Sequence, residues 1–232
     1  MIVSHRHRFV FLKTKKSAGT SVELALSAIC GPEDIISPVS AEDEAMRLGR
    51  GVQNIEIPVD RRPVLWRLHR ALGARPSQAG MSFYNHMTAT EARAALGAET
   101  FDAYRKVTIV RNPWDREVSL YFWHHRGKDS KPAFDRFVRM PRWRPDRKNF
   151  DLYSIGGRPV ADDYLRYETL ADDFAGFVRS LGVADVPGLP RAKGVERPRA
   201  KRDFREFYTP ATRDIVGRRY AREIELFGYT FD

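Results

Sequence analysis

Two segments of this 232-residue chain join cationic and small residues where a strand gives way to a helix. The first is Lys13-Thr14-Lys15-Lys16-Ser17-Ala18-Gly19-Thr20-Ser21, and the second is Val110-Arg111-Asn112-Pro113-Trp114-Asp115-Arg116-Glu117-Val118-Ser119. Each follows a short apolar run and opens a helical pattern. Cationic side chains therefore stand beside backbone N–H groups that have no helical partner. That chemistry binds oxyanions. Two such turns in one small chain imply a ligand with phosphate at two separate places.

The elements that must carry these turns are legible from periodicity. Phe9-Val10-Phe11-Leu12 is a continuous apolar run, the pattern of a buried parallel strand. The helix after it carries Val22, Ala25, Leu26 and Ile29 and stops at Cys30-Gly31-Pro32. From Gly31 to Ser82 the pattern is weak, with short apolar pieces such as Asp34-Ile35-Ile36 and Val64-Leu65-Trp66, and reads as an insertion.

Order returns with the capping-box spacing of Thr88 and Glu91 and a helix ending near Gly97. Lys106 to Val110 is the next strand, with Asn112-Pro113 as N-cap and first helical residue. Tyr164 to Tyr167 forms a further strand, followed by a helix closed by Gly182, and a last helix runs from Thr209-Pro210 to Gly228. Alternating strands and helices predict an α/β chain in three layers, P-loop-like, with a mostly parallel central sheet flanked by helices. The expected organisation is one domain over 1–232 with an insertion at about 31–82.

Net charge is +10, with basic residues dense in Arg126 to Lys148 and Arg191 to Arg205. Such runs are either solvated surface or an anion-attracting field. No helix-turn-helix, zinc-finger or aromatic RNA-binding signature accompanies them, so a nucleic-acid partner is not expected. Cys30 stands alone and no paired Cys/His spacing marks a zinc site, which suits a reducing compartment. The run Phe9 to Leu12 is too short for a signal core or a membrane span, and the expectation is a soluble, cytoplasmic protein.

The first turn departs from a Walker A loop, because Lys16 precedes Ala18-Gly19 and the leading glycine is missing. At the end of the second strand, where a phosphotransferase carries a metal-holding aspartate, stands Arg111. Arginine there binds another phosphate and repels a metal.

Both turns resemble those of sulfotransferases that use 3′-phosphoadenosine 5′-phosphosulfate (PAPS). Lys16 to Ser21 is similar to the end of the loop written His-Ile-Pro-Lys-Thr-Gly/Ala-Gly-Thr-Ser, and Arg111 to Ser119 to the motif Arg-Asn-Pro-x-Asp-Arg-x-x-Ser. Tyr167-Glu168-Thr169-Leu170 and the ending Phe227-Gly228-Tyr229-Thr230-Phe231 resemble the carbohydrate-type branch, the heparan and chondroitin sulfotransferases and their bacterial relatives. The resemblance implies that Lys16, Ser17, Ala18, Gly19, Thr20 and Ser21 hold the 5′-phosphosulfate, with Lys16 also stabilising the leaving oxygen. It implies that Arg111 and Ser119 bind the 3′-phosphate, while Asp115 and Arg116 brace the turn. No metal is implied.

Lys13-Thr14-Lys15 stands where His-Ile-Pro is common, which removes a proline and adds two charges near the donor. Lys201 and Arg202 fall where the family closes a loop over the nucleotide. His86, just before the capped helix, matches a histidine of similar enzymes and is the expected general base, with Glu91 as the carboxylate alternative. His5 and His7 lie at the wrong end of the first strand, His69 in the insertion, and His124 and His125 far down the second helix.

The expected reaction is in-line sulfuryl transfer from PAPS to a hydroxyl acceptor, a saccharide or glycan. Trp66, Trp123 and Trp143 are candidates to stack on sugar rings, against helical core for Trp123 and loop anchoring for the others. Two other classes fit parts of the pattern: a nucleotide kinase or phosphotransferase, and a non-catalytic nucleotide or nucleic-acid binder. The first requires a metal-binding carboxylate near Lys16. The second predicts steep salt dependence on polynucleotides.

Overall fold

The computed structural model describes residues 1–47, 49–62, 82–128, 130–140, 148–190 and 203–232. Among the described residues five strands form the central sheet: β1 (Ile2–Ser4), β2 (Phe9–Leu12), β3 (Ile35–Ile36), β4 (Arg105–Val110) and, after a small hairpin of β5 (Ser154–Ile155) and β6 (Arg158–Pro159), β7 (Asp163–Arg166). Their order is β3-β1-β2-β4-β7. β2 pairs parallel with β4 and β4 with β7, whereas β1 runs antiparallel to both β2 and β3. All the strands but β1 therefore share one direction.

The helices are α1 (Gly19–Leu26), α2 (Ala41–Glu44), α3 (Ala89–Leu96), α4 (Ala98–Ala103), α5 (Pro113–His124), α6 (Phe134–Arg139), α7 (Asn149–Leu152), α8 (Leu170–Ser180), α9 (Pro210–Arg219) and α10 (Ala221–Phe227). They cover both faces of the sheet, and β2 shows why its sequence is apolar throughout. Phe9 and Phe11 enter one core with Val22, Leu26, Phe174 and Phe177 of α1 and α8. Val10 and Leu12 point the other way, against Ala89, Ala92 and Leu96 of α3.

The capping box of Thr88 and Glu91 and the Asn112 cap with Pro113 at the first helical position form as their sequences predict. Two expectations change. Ile35-Ile36, read as part of an insertion, is the edge strand β3, because β1 offers it an antiparallel partner that the sequence pattern did not reveal. The last helix is two, broken at Tyr220, whose backbone leaves helical geometry at φ −114°, ψ 24°. At that break Tyr220 donates to Glu117 Oε2 at 2.8 Å while Arg219 reaches Glu117 Oε1 at 3.0 Å, both on α5. Among the described residues no helix is long and apolar enough to cross a membrane.

The sheet places the two cationic turns side by side. Leu12 ends β2 in register with Thr108 of the parallel β4, so both turns leave the same edge of the sheet, the carboxyl edge where α/β proteins bind ligands.

Candidate functional site

The first turn is built by holding its carbonyls. His86 Nδ1 donates to the Lys13 carbonyl at 3.0 Å, Asn149 Nδ2 to that of Lys15 at 2.8 Å and Arg111 Nη1 to that of Lys16 at 2.7 Å. Thr14 gives its hydroxyl proton to the Ile109 carbonyl at 2.5 Å, so Ser17, 2.6 Å from Thr14 Oγ1 and 3.2 Å from the Thr14 carbonyl, is the donor between them. Because a peptide is planar, each carbonyl held in one direction turns the N–H of the next residue the opposite way. Lys16 and Ala18 have φ of 60° and 61°, alternating with Ser17, which makes the concave run of N–H groups that accepts an anion. Ala18 then caps α1 without any side-chain bond.

Ser17, expected to help hold the 5′-phosphosulfate, turns its hydroxyl inward onto Thr14, and what it presents to an anion is backbone. Thr20 is half-buried and Ser21 is buried at the first turn of α1. Gly19 is required by close approach: a Cβ there would lie 2.8 Å from Lys13 Cγ and 3.2 Å from the Thr14 carbonyl. Gly19→Ala is expected to lower stability by about 1–3 kcal/mol through overpacking, measured by urea denaturation. A gain in stability, the usual result of Gly→Ala where space allows, would contradict the packing.

Lys13 was expected to add charge near the donor. Its ammonium instead turns away from the turn, into the interior, 2.7 Å from Glu23 of α1. Burial alone would raise the Glu23 carboxyl, but the N-terminal ammonium at 2.6 Å and Lys13 outweigh it and hold the pKa at about 2. Lys16, half-buried, lies with its ammonium 5.5 Å from the Trp123 ring centre. Trp123 is 47% exposed and so belongs to the surface beside Lys16 rather than to helical core.

In the second turn, Arg111 Nε and Nη2 meet Asp115 Oδ2 at 2.7 and 2.6 Å, and the guanidinium lies 3.8 Å over the Tyr167 ring. With Nη1 on the Lys16 carbonyl, this one side chain ties both turns together. Asn112 Oδ1 accepts from Trp114 N at 3.0 Å, Asn112 N donates to Glu168 Oε1 at 2.7 Å, and Asn112 Nδ2 reaches the Thr230 carbonyl at 2.9 Å. The Tyr167-Glu168 and C-terminal segments thus hold the second turn in place. Arg116 forms a buried bidentate pair with Glu223 of α10 at 2.6 and 2.9 Å. Ser119 is buried on α5, at 2% exposure. Lys201, Arg202, Trp66, His69 and Trp143 lie outside the described residues.

The chain matches the model of the Sulfotransferase family over residues 1–230. It belongs to the sulfotransferase family. A curated protein of Archaeoglobus fulgidus, described as an uncharacterized protein, is 31% identical over 103 residues, 43% of this chain and 85% of its own length. No solved structure matches the chain. Membership makes the protein a sulfuryl-transferring enzyme.

The protonation of His86 follows from its hydrogen bond. A carbonyl can only accept, so the bond to Lys13 places the proton on Nδ1 and leaves Nε2 with its lone pair. Burial lowers the His86 pKa, the charges of Lys13 and Lys15 add to the effect, and the bond to Lys13 opposes it, giving about 4. The imidazole is neutral at pH 7. Its backbone sits at φ 60°, a conformation costly for histidine.

Glu91 is committed elsewhere. Its Oε2 accepts from Thr88 N at 2.9 Å and Thr88 Oγ1 at 2.6 Å, and Tyr84 adds another bond. Although burial would raise its pKa, these donors lower it. Of the residues that shape the first turn, Asn149 and Glu23 were not anticipated. Glu23 was detectable as a carboxylate inside an apolar helix, whereas nothing in the sequence marked Asn149.

Proposed function

We propose that this chain is a PAPS-dependent sulfotransferase of the carbohydrate-type branch, moving a sulfuryl group to a saccharide hydroxyl without a metal. The observation that carries the reading is Arg111, which stands at the carboxyl end of β4 and bonds the Lys16 carbonyl. It joins the two cationic turns, whose chemistry suits phosphate at both ends of a nucleoside. Three of its five N–H groups serve Asp115 and Lys16, and the other two suit a 3′-phosphate together with Ser119.

In this reading the concave backbone from Lys16 to Ser21 holds the 5′-phosphosulfate. The acceptor oxygen attacks sulfur in line with the S–O bond to the 5′-phosphate, and that bond breaks. Lys16 stabilises the charge gathering on the departing phosphate oxygen. His86 Nε2 takes the acceptor proton. A carboxylate base is the weaker choice because Glu91 is tied into its capping box.

The domain is read as one unit over 1–232, three-layered and P-loop-like, acting in the cytoplasm. A saccharide acceptor is supported by the exposed indole of Trp123 beside Lys16, a flat apolar surface at the place where the sulfuryl group would leave the donor. Incubation with PAPS and a panel of glycans, phenols and lipids is expected to release 3′-phosphoadenosine 5′-phosphate (PAP) with glycans. Release with phenols or lipids alone would overturn the acceptor class, and release with none, under Mg²⁺-dependent ATP turnover, would favour a phosphotransferase.

A further inference from the structure

We propose that Asn149 is a positioning residue for the 5′-phosphosulfate turn, doing with a side-chain amide what a proline does through covalent restraint. The inference rests on the donor reading above. Lys15, the residue just before the left-handed Lys16, has both of its backbone polar groups in the hands of one side chain. Its N–H donates to Asn149 Oδ1 at 3.0 Å and its carbonyl accepts from Asn149 Nδ2 at 2.8 Å. The two bonds need opposite ends of the amide, so they fix its orientation without ambiguity.

Asn149 is 1% exposed, so its amide meets these bonds with little competition from water. It is also firmly mounted. It opens α7, which buries Leu152 and is followed by Tyr153, itself fully buried. The Tyr153 hydroxyl lies 3.4 Å from Glu223 Oε1, the partner of Arg116. Residues 149–153 therefore touch the first turn directly and, through Glu223, Arg116 of the second.

The position explains how this chain manages without a proline before Lys16. Proline would fix φ and remove the N–H that must otherwise be satisfied. Lys15 keeps that N–H and has a φ outside the left-handed range, unlike Lys16 and Ala18. Asn149 supplies the missing restraint and the missing partner together. Losing it should loosen the N–H groups that face the 5′ end of the donor and leave the 3′ end alone.

The test uses calorimetry with PAP and with adenosine 3′-phosphate on the wild type, Asn149→Ala, Asn149→Asp, Lys15→Pro and the double variant Lys15→Pro/Asn149→Ala. Asn149→Ala is expected to weaken PAP about tenfold and leave adenosine 3′-phosphate unchanged, with the KM for PAPS rising while that for acceptor holds. Asn149→Asp keeps the acceptor for Lys15 N–H, sets oxygen against the Lys15 carbonyl, and weakens PAP likewise. Lys15→Pro places its ring against Asn149 Oδ1 and weakens PAP too, whereas the double variant recovers to within about threefold of wild type. Equal losses for both nucleotides, no loss for PAP, or losses that multiply in the double variant would overturn the proposal.

Amide exchange on the ligand-free protein judges the clamp independently. Lys15 N–H should exchange at least about tenfold faster in Asn149→Ala, and unchanged exchange in that variant would overturn the clamp. A wild type that binds no PAP would sink the donor reading and leave this exchange result to stand or fall alone.

Discussion

Lys16→Ala is expected to lower kcat by about 10²–10³ while PAP affinity falls far less. The reason is a division of labour in the first turn. In the proposed reading, binding of the 5′-phosphate is spread over a concave run of backbone N–H groups whose carbonyl partners are held by His86, Asn149 and Arg111. The substitution leaves that backbone in place, since the Lys16 contact with Arg111 uses a carbonyl and not the side chain. What disappears is the ammonium, and its electrostatic contribution grows only as the S–O bond breaks. Single-turnover kinetics with PAPS, beside calorimetry with PAP, separates the two quantities. Equal losses in rate and affinity would mean that Lys16 only binds.

His86→Asn is the second large effect, with kcat expected to fall about 10²–10⁴-fold and PAP affinity retained. Asparagine tolerates the left-handed backbone that His86 adopts, and its amide N–H can replace Nδ1 as donor to the Lys13 carbonyl. Only the Nε2 lone pair is removed. A variant that kept its rate would transfer the proton elsewhere.

The same residue sets two pH dependences. Folded His86 is protonated only below about 4, whereas an unperturbed histidine is protonated below about 6.5. Between those values the unfolded chain binds more protons, so stability falls as pH drops through that window, by up to roughly 3 kcal/mol. Urea denaturation of His86→Asn should lack this slope. In the free enzyme the acid limb of kcat/KM should lie near 4, and the limb of kcat should lie higher, because the anionic donor favours imidazolium.

Much of the local structure around the candidate site was readable because its signals are local. The Lys16 to Ser21 turn, the Asn112-Pro113 cap and the Thr88–Glu91 box each depend on residues within a few positions of one another. β1 was not readable, since three residues carry no periodicity and its partners come from both sides. Lys13 looked like a charge near the donor for a related reason. Its neutralising partner Glu23 is a whole turn-and-helix away, and only the packing of α1 on the sheet shows that the two meet. Asn149 is the extreme case: its bonds to Lys15 span 134 positions, and one amide recognising a backbone leaves no pattern in either segment. Trp123 went the other way, for a tryptophan late in an apolar helix ordinarily packs inward, and here the indole sits beside Lys16 at the surface.

Two anion turns, joined by Arg111, are proposed to recognise a nucleotide phosphorylated at both its 3′ and 5′ positions. Calorimetry comparing PAP with adenosine 5′-phosphate, on the wild type and on Arg111→Ala, tests it most directly. Wild type is expected to prefer PAP by at least about 100-fold, and Arg111→Ala to lose most of that preference while still binding adenosine 5′-phosphate. Equal affinity of the wild type for the two nucleotides, or a preference for PAP that survives in Arg111→Ala, would contradict it.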